Sequence, residues 1–135
     1  MTRVLRPAGW MRPSGYADGV IAEGHYVAIA GQIGWNERHE LTTDDFLDQA
    51  RQALQNIVAV LAEAGGQSTH LVRMTWYVTD KQEYLATAHR LGDVYREVIG
   101  PHYPAMTVVE VKSLLEDRAK VEIEATAIIP SIESR

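Results

Sequence analysis

Apolar residues recur along this chain with two periods. From Thr43 to Ala64 they fall at Phe46/Leu47, Ala50, Ala53/Leu54, Ile57/Val58 and Leu61, the spacing of one helix face. Thr42 or Thr43 can cap the start of this helix, and Gly65-Gly66 supplies a left-handed stop. A second helix begins after Asp80, with Glu83 three residues on as in a capping box. Its apolar face is Tyr84/Leu85, Ala88, Leu91, Val94/Tyr95 and Val98, and Gly100-Pro101 closes it. Elsewhere the period is two. Leu71–Thr79 puts Val72, Met74, Trp76 and Val78 on one face and Arg73, Thr75, Tyr77 and Thr79 on the other. Ala105–Val111 and Val121–Ile129 read as a C-terminal strand pair joined by the charged turn Leu115–Lys120. Val20–Glu23 and Tyr26–Ala30 read as a hairpin turning at Gly24-His25.

The predicted order is ββαβαββ, with a possible short edge strand at Arg3–Arg6. It implies one α+β domain over residues 1–135, with both helices packed on one face of a single sheet. The other face is then bare, and a bare face carrying apolar residues calls for a partner, so a homo-oligomer is expected. Residues 6–19 hold the only Pro/Gly-rich stretch. Pro7, Gly9, Pro13 and Gly15 exclude a regular helix there, and the plain reading is a surface connection. A loop carrying Trp10, Arg12 and Tyr16 nevertheless has the side chains of a ligand rim.

Charge narrows the partners. With 18 acidic and 13 basic residues the net charge is −5. The arginines are scattered singly, which argues against a nucleic-acid phosphate track and a membrane surface. There are no cysteines, so disulfides and thiolate chemistry are excluded; the composition suits a cytoplasmic location. The N-terminus shows no apolar stretch of signal-peptide length. The five histidines show no metal-ligand spacing, and no Walker loop or nucleotide-binding glycine motif is present.

The last strand carries the candidate chemistry. Glu122 and Glu124 alternate with Val121, Ile123 and Ala125, so they share the face away from the core, roughly 6–7 Å apart. Glu110, in the preceding strand, is expected to join them across the hairpin. A solvated face is the plain alternative. Carboxylates covered by a partner must instead pair, hold water or rise in pKa, which suits them to proton transfer.

Several segments together resemble one family. They are Ser14–Val20, Ala30-Gly31-Gln32-Ile33, Asp48–Ile57, Tyr77–Asp80, Val94-Tyr95-Arg96, Pro104-Ala105, Val109-Glu110-Val111 and Val121–Ala125. In this order and spacing the chain resembles the Rid family, the reactive-intermediate deaminases also called YjgF-type or L-PSP proteins. The resemblance implies a chorismate-mutase-like α+β fold and a homotrimer whose sheets form a central barrel. It also implies small-molecule pockets at the subunit interfaces, with no metal or organic cofactor. Well-studied members hydrolyse enamines and imines to keto acids and ammonia; some relatives are described as ribonucleases or translation inhibitors. By the same resemblance Glu122 is the glutamate that positions the attacking water, and Tyr16 the pocket tyrosine. Gly31 and Gln32 form the pocket-lining turn, and Glu110 lies near the subunit contact.

Two positions depart from the deaminating members. Their Pro-Ala-Arg-Ser is Pro104-Ala105-Met106-Thr107 here, and their serine before Gly-Gln is Ala30. The missing arginine is the one that grips a substrate carboxylate as a fork; Met106 offers a soft apolar wall instead. One expectation is therefore an imine hydrolase whose substrate lacks a free carboxylate at that place, in a pocket with Met106, Trp10, Trp35 and Tyr16. A second keeps the anion and moves the cation to Arg12. A third is a non-catalytic trimer binding a small ligand or a partner protein. Ribonuclease or translation-inhibitor activity is the least favoured, because the chain is acidic.

Overall fold

The structure, a computed structural model, describes residues 2–131. Six strands and three helices follow in the order β1 (Thr2–Leu5), β2 (Gly19–Ala22), β3 (His25–Ile33), α1 (Phe46–Glu63), β4 (Leu71–Val78), α2 (Lys81–Ala86), α3 (Ala88–Val98), β5 (Ala105–Glu110) and β6 (Val121–Ile129). A single 3-10 turn, Ser68–His70, precedes β4. The main sheet is mixed, in the order β3-β6-β4-β5, with β4 and β5 parallel and the other neighbours antiparallel. Helices α1 and α3 pack on one face of it. Leu54, Ile57, Met74, Trp76, Ile123 and Ala127 are central to the core between them.

Local sequence explains the helices. Asp45, rather than Thr42 or Thr43, caps α1: its carboxylate accepts the Asp48 N–H at 2.9 Å. Thr43 is one step back, its hydroxyl accepting the Asp45 N–H at 3.0 Å. Gly65 takes the left-handed stop at φ 77°. Asp80 caps α2 through the N–H groups of Gln82 and Glu83. The single second helix expected from periodicity is broken at Thr87, where the backbone leaves the helical region (φ −108°, ψ 9°) and the hydroxyl donates to the Glu83 carbonyl at 2.8 Å.

The strand pairings differ from the expected hairpins. β2 pairs with β1, not β3, making a separate two-stranded ribbon. β5 and β6 are not neighbours, because β4 lies between them. The helical crossover from β4 makes β5 its parallel neighbour, as a crossover of that length permits. β6, whose inner face of Val121, Ile123, Ala125 and Ala127 is fully buried, takes the central place on the other side of β4. Glu110 therefore cannot join Glu122 across a hairpin. Its carboxylate instead accepts the Lys81 N–H at 2.7 Å, at the start of α2. An irregular register between Leu71 and Arg73 also puts Leu71, not Val72, fully into the core.

One polar side chain holds the layers together. Gln49, on the core face of α1, is fully buried. Its Nε2 donates to the carbonyls of Thr43 (3.0 Å) and Arg118 (3.1 Å), and its Oε1 accepts the Lys120 N–H at 2.8 Å. The turn leading into β6 is thereby tied to α1, which sets where β6 begins. Gly34 lets α1 come this close, since a Cβ there would stand 2.5 Å from the Gln49 Cα.

Candidate functional site

The candidate residues fall into two groups on opposite faces of the sheet. The first surrounds Glu122. β3 bulges between Ile29 and Gln32, so Ala30 and Gly31 stand outside the regular ladder with β6. The Gln32 amide donates to the Ala30 carbonyl at 3.1 Å and tightens the bulge. Glu122 lies against it, and a Cβ built on Gly31 would stand 2.0 Å from Oε2 of its carboxylate. Only a bare backbone leaves room for the carboxylate there. Among the described residues Glu122 makes no ion pair, so its oxygens are open to a water or ligand.

The neighbouring carboxylate is committed elsewhere. The Tyr77 hydroxyl donates to Glu124 at 2.5 Å across the same face. That bond, first among several causes, raises the Tyr77 pKa. Of the Glu-x-Glu pair, Glu122 is thus the one left available. The rest of this outer face is mixed in character, with Arg73, Thr75 and Thr126 beside a largely exposed Tyr26.

The second group lies on the helix side, in an open groove of about 1420 Å³ between the N-terminal segment, α3 and β5. Arg12, Tyr16 and Met106 all line it. The loop is held there by backbone pairing: Ala17 bridges to Ala105, and its N–H donates to the Pro104 carbonyl at 3.0 Å. Met106 stands beside Met74 in the parallel register and packs against the core. Trp76, Tyr84 and Tyr95 complete the apolar wall. Tyr95 stacks on Tyr103 at 5.3 Å and donates to the His102 carbonyl at 2.6 Å. Burial pushes the phenol of Tyr95 far above its ordinary pKa and raises that of Tyr84.

The two tryptophans expected in the pocket do not line this groove. Trp35 stacks on His39, ring centroids 4.0 Å apart, in the turn after β3. Trp10 is exposed on the loop. Met106 and Glu122 are separated by β4 and face opposite ways, so one chain cannot bring them together.

The structure is a small mixed α+β fold with the Glu122 carboxylate on one face of its sheet and an aromatic groove on the other. The endoribonuclease L-PSP family matches residues 11–129, and the chain belongs to this family of RutC, Rid and YjgF proteins. It is 35% identical over 128 residues to a RutC family protein of Pyrococcus horikoshii, covering 94% of this chain and 98% of that one. It is 33% identical over 105 residues to the 2-iminobutanoate/2-iminopropanoate deaminase of Salmonella typhimurium, covering 78% and 80%. Among solved structures, the Rid-family protein YyfB of Yersinia pestis matches with a TM-score of 0.80 at 32% identity, covering 95% and 98%. Escherichia coli TdcF with bound serine matches with a TM-score of 0.68 at 29% identity, covering 94% and 98%.

Sequence reasoning missed Gln49 and Arg96. Gln49 had a signal, as a polar residue on the apolar face of a strongly periodic helix. Arg96 stands in the Val94-Tyr95-Arg96 run of the family resemblance, but its place in the groove depends on the path of the chain after α3, which leaves no local signal.

Proposed function

We propose that this protein hydrolyses an enamine or imine that has no free carboxylate against position 106, with Glu122 holding the attacking water. The observation that carries this is the Glu122 carboxylate, seated over the bare backbone of Gly31 and, among the described residues, free of ion pairs. A carboxylate so placed accepts a proton as the water oxygen attacks the C=N carbon. The resulting carbinolamine then expels ammonia and leaves the carbonyl product, so one imine and one water give one ketone or aldehyde and one ammonia. An enamine enters the same path after protonation at carbon. Met106 supplies an apolar wall where the deaminating members carry a cation.

The separation of Met106 and Glu122 on opposite faces supports a pocket completed between copies of the chain, and hence the homotrimer. The name of the Salmonella relative supports the reaction class. A ligand-binding trimer without catalysis is the second reading, favoured by Met106 and Ala30 in place of arginine and serine. The acidic net charge speaks against nucleic acid as substrate.

The test is ammonia release from a panel of imines lacking a carboxylate beside the reacting carbon. Wild type is expected to release ammonia, and Glu122→Gln to be slowed on the order of 100-fold, as for loss of a positioned base. Met106→Arg is expected to raise activity on 2-iminobutanoate. Absence of any Glu122-dependent release would leave the binding reading. Sedimentation showing only monomer would remove the shared pocket.

A further inference from the structure

Position 106 offers the groove no cation, yet three of the lining side chains are arginines. Arg6, Arg12 and Arg96 line it against a single acid, Asp18. The three arginines are not equivalent. Arg6 reaches the Trp10 carbonyl at 3.4 Å, and Arg12 sits on an exposed loop. Arg96 is mounted on α3, in the same wall as Tyr95. Its Nη2 donates to Asp93 at 2.6 Å. The Tyr103 hydroxyl, and then Asp93, raise its pKa and hold its charge.

Gly92 lies beneath this side chain. Side chains on a helix lean toward the preceding turn, so the Arg96 side chain folds back over residue 92. A Cβ on Gly92 would lie 3.5 Å from Nη1 and 4.0 Å from Cζ of Arg96. These are ordinary contact distances, so alanine would fit at position 92, and only a side chain reaching beyond Cβ would compete with the guanidinium for this space. The bare glycine leaves the guanidinium uncovered on that side, and both residues line the groove. Asp93 takes one edge of the guanidinium, and a fork with five N–H groups retains donors for a second anion.

We propose that Arg96 is the anion-binding residue of this groove, and that the ligand is a carboxylate set apart from its reacting carbon by an aryl or alkyl spacer. The apolar wall of Trp76, Tyr84, Tyr95 and Met106 contacts the spacer, while Arg96 contacts the carboxylate. This rests on the groove being the ligand site, and it names the substrate class that the absence of a cation at position 106 leaves open.

Binding, not turnover, tests it. Kd values for 3-phenylpropanoate, 4-phenylbutanoate, propanoate and the neutral 3-phenylpropanamide are measured by NMR titration of the full-length protein. The two phenylalkanoates are expected to bind, with propanoate and the amide several-fold weaker. Arg96→Gln should weaken phenylalkanoate binding roughly tenfold, as loss of one charge-assisted pair implies. Arg96→Lys should recover part of it, and Arg90→Gln, an exposed α3 residue outside the groove lining, should leave it within about twofold. Unchanged binding in Arg96→Gln, equal binding of acid and amide, or loss in Arg90→Gln alone would overturn the assignment. The hydrolase reading fails separately: Glu122-independent or absent ammonia release, with phenylalkanoate binding still dependent on Arg96, refutes catalysis and keeps the anion site.

Discussion

Replacing Gly31 with alanine places one methyl group where the Glu122 carboxylate now lies. The added Cβ would stand 2.0 Å from Oε2, 2.8 Å from Cδ and 3.0 Å from Cγ. Ordinary contact begins near 3.4 Å, so the carboxylate must retreat by about 1.4 Å (3.4 − 2.0). Gly31 is outside the positive-φ glycines, so alanine meets no backbone strain there. The clash is with the far end of a flexible side chain, and turning a glutamate off its rotamer costs about 0.5–1.5 kcal/mol. Gly31→Ala should therefore lower stability by about 1 kcal/mol, a few degrees in Tm for a domain of this size. Its effect on turnover should be far larger, because a displacement of about 1 Å at a reacting group can cost on the order of 100-fold. The assay pairs thermal unfolding with ammonia release under single-turnover conditions, with Glu122→Gln as reference. Wild-type turnover in Gly31→Ala would refute the seating of Glu122 as the reason for glycine here. A stability loss above about 3 kcal/mol would do the same, by showing that the bare backbone serves packing instead.

Other expectations follow from the packing. Gln49→Leu leaves the Lys120 N–H and the Thr43 and Arg118 carbonyls without their partner. At about 1–3 kcal/mol for each group that stays sealed from water, a loss of about 3–5 kcal/mol is expected in urea unfolding; a loss under about 1 kcal/mol would mean that water replaces the amide. Gly34→Ala drives a Cβ to within 2.7 Å of the Gln49 carbonyl oxygen, which belongs to a helix backbone and cannot rotate away. It should cost more than Gly31→Ala in the same unfolding experiment, since overpacking against backbone costs about 1–3 kcal/mol or more. Burial raises the pKa of Tyr84 and Tyr95 above their ordinary value in the folded state. Stability from the neutral phenols is complete below the unfolded pKa near 10 and is lost as pH rises beyond it. A Tm profile should therefore fall above about pH 10, less steeply in Tyr95→Phe; equal slopes in the two proteins would count against the burial of Tyr95.

Much of this protein was legible in its sequence. The face of α1, its glycine stop, the strand Leu71–Val78 and the alternation of β6 all follow from local periodicity, because each depends on spacing within one segment. The family segments, being local runs as well, were legible in the same way. The break at Thr87 was not, since a single threonine hydroxyl bonding back one turn leaves the apolar period intact.

The sequence by itself determined which face of α1 and of β6 turns inward and which carboxylates stand on the outer face of β6. Only the tertiary structure decided which strands are neighbours. Hairpin pairing of β5 with β6 and insertion of β4 between them bury the same local pattern, and the choice rests on which arrangement covers both flanks of β6 with backbone partners. From that choice follow the separation of Glu122 from Glu110 and the opposite facing of Met106 and Glu122. The position of Arg96 over Gly92 belongs there too. It depends on the path of the chain after α3, which sets the other groove walls beside that helix and which no local spacing reveals.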